Sequence, residues 1–129
     1  MLTQRDRAPH SWTDTLVRLE DERLMLQQIA AGVPLAEVLD HMLRAIEAQS
    51  SVDLRAAIAL VDDSGAFLRH GAAPSLPADF NAAVERVPIA PEMASWGLAA
   101  VSSRPVYVED IASDPLWESW RERALTHGL

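Results

Sequence analysis

The stretch Ala56-Ala57-Ile58-Ala59-Leu60-Val61-Asp62-Asp63-Ser64-Gly65-Ala66-Phe67-Leu68-Arg69-His70-Gly71-Ala72 decides how the chain folds. Two short apolar runs, 56–61 and 66–72, flank Asp-Asp-Ser-Gly, which reads as a β-hairpin with glycine where positive φ is needed. The first run is apolar on both faces, so it is expected to lie centrally in a sheet, covered on both sides. Arg69 and His70, near the end of the second run, suggest an edge more open to water.

Ahead of the hairpin, Leu35, Val38, Leu39, Met42, Leu43 and Ile46 form an i, i+3, i+4, i+7 stripe that predicts a helix from about 34 to 49. His41 beside that stripe reads as a boundary residue. Before Gly32 and Pro34, Leu16, Leu19, Leu26 and Ile29 fall at heptad-like spacing in a helix expected over 13–31. Such a helix either packs under its own domain or pairs with a partner's copy. Residues 1–12 are polar and are expected to form a flexible N-terminal segment.

Beyond the hairpin comes a proline-punctuated loop, 73–77, then a helix predicted over about 77–86 with Phe80, Ala83, Val84 and Val87 facing inward. From Ile89 to Trp117 the pattern gives a loop, a short helix, a strand and a capped helix start. Ser95, Gly97, Ala99 and Ala100 make that helix lightly built, so that backbone can approach it closely. Pro105–Ile111 alternates, with Val106, Val108 and Asp110 on one face and Tyr107, Glu109 and Ile111 on the other. Asp114-Pro115 supplies an N-cap and a first-turn proline for a helix to His127, with Leu116, Trp117, Trp120, Ala124 and Leu125 inward and Gly128 at C′.

Composition bounds the function. The 129 residues, 49% hydrophobic and 23% charged, suit one ordinary globular domain. The net charge of −8 argues against nucleic acid, and all 11 basic residues are Arg. No run approaches the ~20 apolar residues that span a bilayer, and the N-terminus lacks a signal peptide's apolar core, so a cytoplasmic protein is expected. The absence of cysteine excludes disulfides, thiolate metal sites and Cys nucleophiles.

Catalytic and metal motifs are not apparent. His10, His41, His70 and His127 are too scattered for a metal spacing. Asp62-Asp63-Ser64-Gly65 lacks the spaced ligands of a calcium loop and reads as a turn. Glu109, Asp110 and Asp114 read as a strand end and an N-cap. Neither a Gly-x-Ser-x-Gly elbow nor a glycine-rich phosphate loop occurs.

The runs H-G-A-A-P-S-L-P-A-D-F-N-A-A-V (His70–Val84) and P-V-Y-V-E-D-I-A-S-D-P-L-W (Pro105–Trp117), with A-L-T-H-G-L (Ala124–Leu129) and A-A-G-V-P-L-A-E-V-L-D (Ala30–Asp40), resemble bacterial GAF sensor domains over about residues 20–129. The resemblance implies an α+β fold: a GAF-like central antiparallel sheet, helices packed on one face and a pocket on the other, over 13–129. It implies a non-enzymatic module of signal transduction of the kind that precedes histidine kinase, diguanylate cyclase or phosphodiesterase domains. In the family an H-G-L sequence leads into further strands, so the chain is expected to be C-terminally truncated, or completed by another chain.

The resemblance also carries the candidate site: a pocket bounded by Met93–Ala100 and Val106–Asp110, with Met93, Ser95, Trp96, Leu98, Val106, Val108 and Asp110 as ligand-contacting residues. Where close relatives read I-G-P-G-x-G-S-C-G-T-A, this chain has Ile89-Ala90-Pro91-Glu92-Met93-Ala94-Ser95-Trp96-Gly97-Leu98-Ala99. Three glycines are replaced in a loop that favours positive φ, and an indole stands where a small thiol normally sits. A covalent bilin and the methionine-sulfoxide reductase branch both need cysteine and are excluded, and no cofactor is assigned. Two readings result: a small-molecule sensor that signals through the N-terminal helix as a homodimer or to a signalling partner, or a degenerate interaction module whose pocket Trp96 fills. Neither nucleic acid nor a membrane is an expected partner.

Overall fold

A computed structural model describes residues 12–129, so the expected N-terminal segment lies, but for Trp12, outside the described residues. The chain divides into two compact units, which meet between Leu54 and Arg55.

The first unit is a pair of helices, α1 (Trp12–Ala30) and α2 (Leu35–Ala48). α1 ends as its Gly32-Val33-Pro34 sequence predicts. The Gly32 N–H donates to Ile29 O at 3.1 Å and the Val33 N–H to Gln28 O at 3.0 Å, the paired bonds of a Schellman ending. Pro34 then opens α2, where Val38 and Leu43 are buried and Leu39 and Met42 half-buried. Leu35 and Ile46, the two ends of the predicted stripe, are exposed. The Gln49 side-chain amide donates to Asp21 Oδ2 at 2.8 Å and ties the end of α2 to α1.

The second unit is built on the hairpin. β1 (Ile58–Val61) pairs antiparallel with β2 (Phe67–Ala72), and β2 pairs on its other side with a two-residue β3 (Val87–Pro88). The Asp-Asp-Ser-Gly turn forms as read, with Gly65 at φ +73°. Asp62 organises it: its carboxylate accepts from the Ser64 hydroxyl at 2.8 Å and the Phe67 N–H at 3.2 Å. α3 (Ala78–Ala83), α4 (Ala94–Ser102), a 3-10 turn (Pro115–Trp117) and α5 (Arg121–Thr126) complete the unit. These elements give the α+β architecture with a small antiparallel sheet.

Four expectations change. β2, not β1, is the middle strand of the described sheet, because Val87-Pro88 takes the second side of β2. The helix expected to Arg86 stops at Ala83 and passes through a turn at 84–86, and Val87, held extended by Pro88 after it, enters β3. Pro105–Ile111 runs without a strand partner among the described residues, and its alternation holds only to Glu109: Val106 and Val108 are half-buried and Tyr107 is 89% exposed, but Asp110 is exposed and Ile111 packs on the core. The last helix is broken after Trp117. The Trp120 N–H donates to Trp117 O at 2.9 Å, a three-residue bond that brings both indoles to one side, and both are buried.

The core of the second unit gathers Leu68, Phe80, Val84, Val87, Ala94, Trp117, Trp120 and Ala124. Gly97 lets α4 close against the loop before it. A Cβ there would overlap the Ala90 carbonyl oxygen and lie 2.7 Å from Met93 Cβ. Ala94, which stands at one of the replaced glycines, is fully buried with φ +53°. That conformation costs an L-residue roughly 1–2 kcal/mol, so the surrounding packing holds it there.

Gly97→Ala is expected to destabilise the chain by about 1–3 kcal/mol and lower its melting temperature by several degrees; an unchanged melting curve would contradict the close approach. The Asp62 carboxyl is held below its usual range, chiefly by the Ser64 hydroxyl and, beyond that, by the N–H groups of Phe67, Ala66 and Gly65. A carboxyl lowered by folding stabilises above the ordinary aspartate range and loses that contribution as pH falls through it. The stability gap between the native chain and Asp62→Ala should therefore shrink on acidification, measured by thermal melts from neutral to acid pH.

Candidate functional site

Between the sheet and the α3–α4 layer lies a cavity of about 110 Å³. Ala57, Ile58 and Ala59 line it from β1 and the residue before it, and His70 and Ala73 from the end of β2. Leu76, Phe80, Asn81, Val84 and Trp96 form the opposite wall. The lining is mostly apolar, and its polar side-chain groups belong to His70, Asn81 and Trp96. The Asn81 NH₂ donates to Ala73 O at 3.2 Å and to Leu76 O at 3.3 Å, which fixes the Pro-rich loop as part of the wall.

Trp96 is set by a cluster of rings. It meets Trp120 at 4.9 Å, Trp117 at 5.1 Å and Phe80 at 6.2 Å between centroids, each edge to face. Phe80 in turn meets Trp120 at 6.2 Å and the His127 ring at 5.9 Å. Such pairs contribute about 0.5–1.5 kcal/mol each beyond area burial. Arg123 lies over the Trp120 ring at 5.1 Å and shields the outer side of the cluster. One demand is left open: Trp96 Nε1 and Trp117 Nε1 are buried without a hydrogen-bond acceptor among the described residues. A donor stranded in this way costs about 1–3 kcal/mol.

Of the seven residues expected to touch a ligand, Trp96 alone lines this cavity. Met93 packs against the core and borders a separate open hollow with Glu92, Pro115, Leu116, Glu118 and Ser119. Ser95 and Leu98 are half-buried on α4, and Val108 packs on the core from the 105–111 run. Asp110 is exposed and serves a turn, accepting from the Ser113 hydroxyl at 2.6 Å and the Ala112 N–H at 3.0 Å. The hydroxyl is the main reason its carboxyl sits below the usual range. Asp114 caps the 3-10 turn through the Leu116 N–H at 2.8 Å, as its position before Pro115 predicts.

The wall residues that sequence reading missed are His70, Asn81, Leu76 and the start of β1. His70 and Asn81 each lie inside the His70–Val84 run, which marks the family, but their convergence depends on the hairpin folding back over α3. Among the described residues no three His, Asp or Glu side chains gather as a metal-binding group. Among the described residues no helix is long and apolar enough to cross a membrane. Two hollows of about 720 and 550 Å³ are open grooves along α1 and α2 in the first unit.

Comparison with known proteins agrees with this architecture. Residues 32–129 match the GAF domain family. The chain is 33% identical over 122 residues to a methyl sulfide methyltransferase-associated sensor of Methanosarcina acetivorans, an alignment covering 90% of this chain and 12% of that protein. No solved structure matches it. With three-quarters of its length inside the family match, the chain belongs to the GAF domain family.

Proposed function

We propose that this sensory or regulatory GAF module is a cytoplasmic, non-enzymatic receptor for a ligand of only a few heavy atoms. Size carries the reading. Water's share of liquid volume is about 30 Å³, so a cavity of about 110 Å³ holds a few such volumes. Sites for drug-sized ligands run from about 300 to 1,000 Å³. The wall chemistry narrows the class further: an apolar body to meet Leu76, Val84 and Phe80, and one acceptor for a stranded donor such as Trp96 Nε1–H. The relative's name supports sensing as the role of that protein, of which this chain matches 12%. The bound state would bias the packing of α4, and the N-terminal helix would carry the change to a second copy or a signalling partner.

A second reading is favoured by the rings themselves. Edge-to-face contacts on three sides fit Trp96 as a plug, in which case the module binds no ligand and acts through protein contacts alone.

Native mass spectrometry of protein purified from its own host separates the two. A co-purified small molecule, lost from Trp96→Phe while its circular dichroism is unchanged, is the expected result. A clean apo mass, with indole fluorescence unmoved by small apolar acceptors such as dimethyl sulfide, would overturn the sensor reading in favour of the plug. Trp96→Ala is less useful, since removing an indole from such packing costs about 3–5 kcal/mol whichever reading holds.

A further inference from the structure

The walls of the cavity are held in different ways. Ile58 and Ala59 belong to β1, which is laddered to β2. Phe80 and Trp96 are locked by edge-to-face ring contact. The 73–77 loop has neither support among the described residues. Pro74 and Pro77 carry no N–H to give, and the Leu76 N–H is spent within the loop, on Ala73 O at 3.3 Å. Two residues of this loop line the cavity, Ala73 and Leu76. They are the same two whose carbonyls accept the Asn81 amide, at 3.2 and 3.3 Å. One side chain, itself part of the wall, therefore fixes both loop residues that face the cavity.

We infer that Asn81 is the positioning residue that sets the size limit of this site: by holding Ala73 and Leu76 inward, it keeps aromatic rings out and admits smaller ligands. The inference rests on the receptor reading above and names the residue that makes the receptor selective. Magnitude decides where the limit falls. An apolar cavity of about 150 Å³ accepts benzene as well as xenon. The cavity here, about 110 Å³, lies below that benzene-sized space. A modest outward shift of one wall would close the difference, and the loop is the wall without a ladder or ring contact to resist it. An amide suits the task because its NH₂ offers two donors at a fixed angle, one for each carbonyl. Both donors are spent on the loop, so Asn81 acts on ligand choice through the placement of Ala73 and Leu76.

Solution NMR of the isotope-labelled full chain, with xenon and benzene as probes, tests this. Uptake is read from the backbone amides of Ala59, His70 and Leu76, which line the cavity. The native chain is expected to respond to xenon and not to benzene. Asn81→Asp keeps the outline of the side chain, so the wall loses no atom, but both donors give way to an oxygen that repels the Ala73 and Leu76 carbonyls. This variant should keep xenon and bind benzene roughly tenfold more tightly than the native chain. Asn81→Leu, forked in the same way but without donors or charge, gives the same comparison where Asn81→Asp does not fold. A merely structural Asn81 would lower the melting temperature and weaken both probes together. That result overturns the assignment, as does a native chain that already takes up benzene. Xenon uptake by the native chain with no gain of benzene in either variant removes the role of Asn81 and leaves the receptor reading standing. A native chain that takes up neither probe overturns the receptor reading and this inference with it.

Discussion

The edge-to-face packing of Trp96 with Phe80, Trp117 and Trp120 is the contact on which the second unit depends. Phe80 is 1% exposed and comes from α3; Trp96 comes from α4; Trp117 and Trp120 come from the broken C-terminal helix. No two of these elements share a sheet hydrogen-bond ladder, so the rings, rather than backbone pairing, hold the helical layer together. The same packing sets the size of the cavity beside it. Stability and ligand capacity therefore share one set of atoms, and a larger site would mean a looser core.

Local chemistry was legible in the sequence because its causes are local. Gly65 in the hairpin turn, Asp114 before Pro115, and Gly32 ahead of Val33-Pro34 each act over four or five residues, and each stands where it was read. Gly97 was legible for the same reason: small residues at 95, 97, 99 and 100 imply a close backbone, and the Ala90 carbonyl supplies it. The sheet order was not legible, because two-sided apolarity in Ala56–Val61 describes composition and not neighbours. Val87 illustrates the difficulty. It fits the helical stripe of Phe80, Ala83 and Val84, yet Pro88 one residue later removes it from that helix.

The candidate site was legible in one residue. Trp96 could be singled out because it departs from the pattern that the family resemblance implies, and it lines the cavity. The remaining walls come from His70, Leu76 and Asn81, whose side chains meet only when the hairpin folds over α3. Asp110 shows the opposite error. Alternation put it on the face of Val106 and Val108, but without a paired strand its carboxylate found nearer partners in Ser113 and Ala112. A short acidic residue beside a turn satisfies itself locally before it serves a pocket.

The ring cluster also constrains how this chain can change over evolutionary time. An indole at 96 is supported by two other indoles and a phenyl ring, and each of those is supported by it. Replacing Trp96 by a small residue would leave a void beside three rings, and neighbouring substitutions of this kind do not add independently. Ala94, buried at positive φ, could change to glycine in one step without strain; Trp96 could not change alone. The four ring positions are thus entrenched as a set, and descendants of this sequence should keep them or exchange them together.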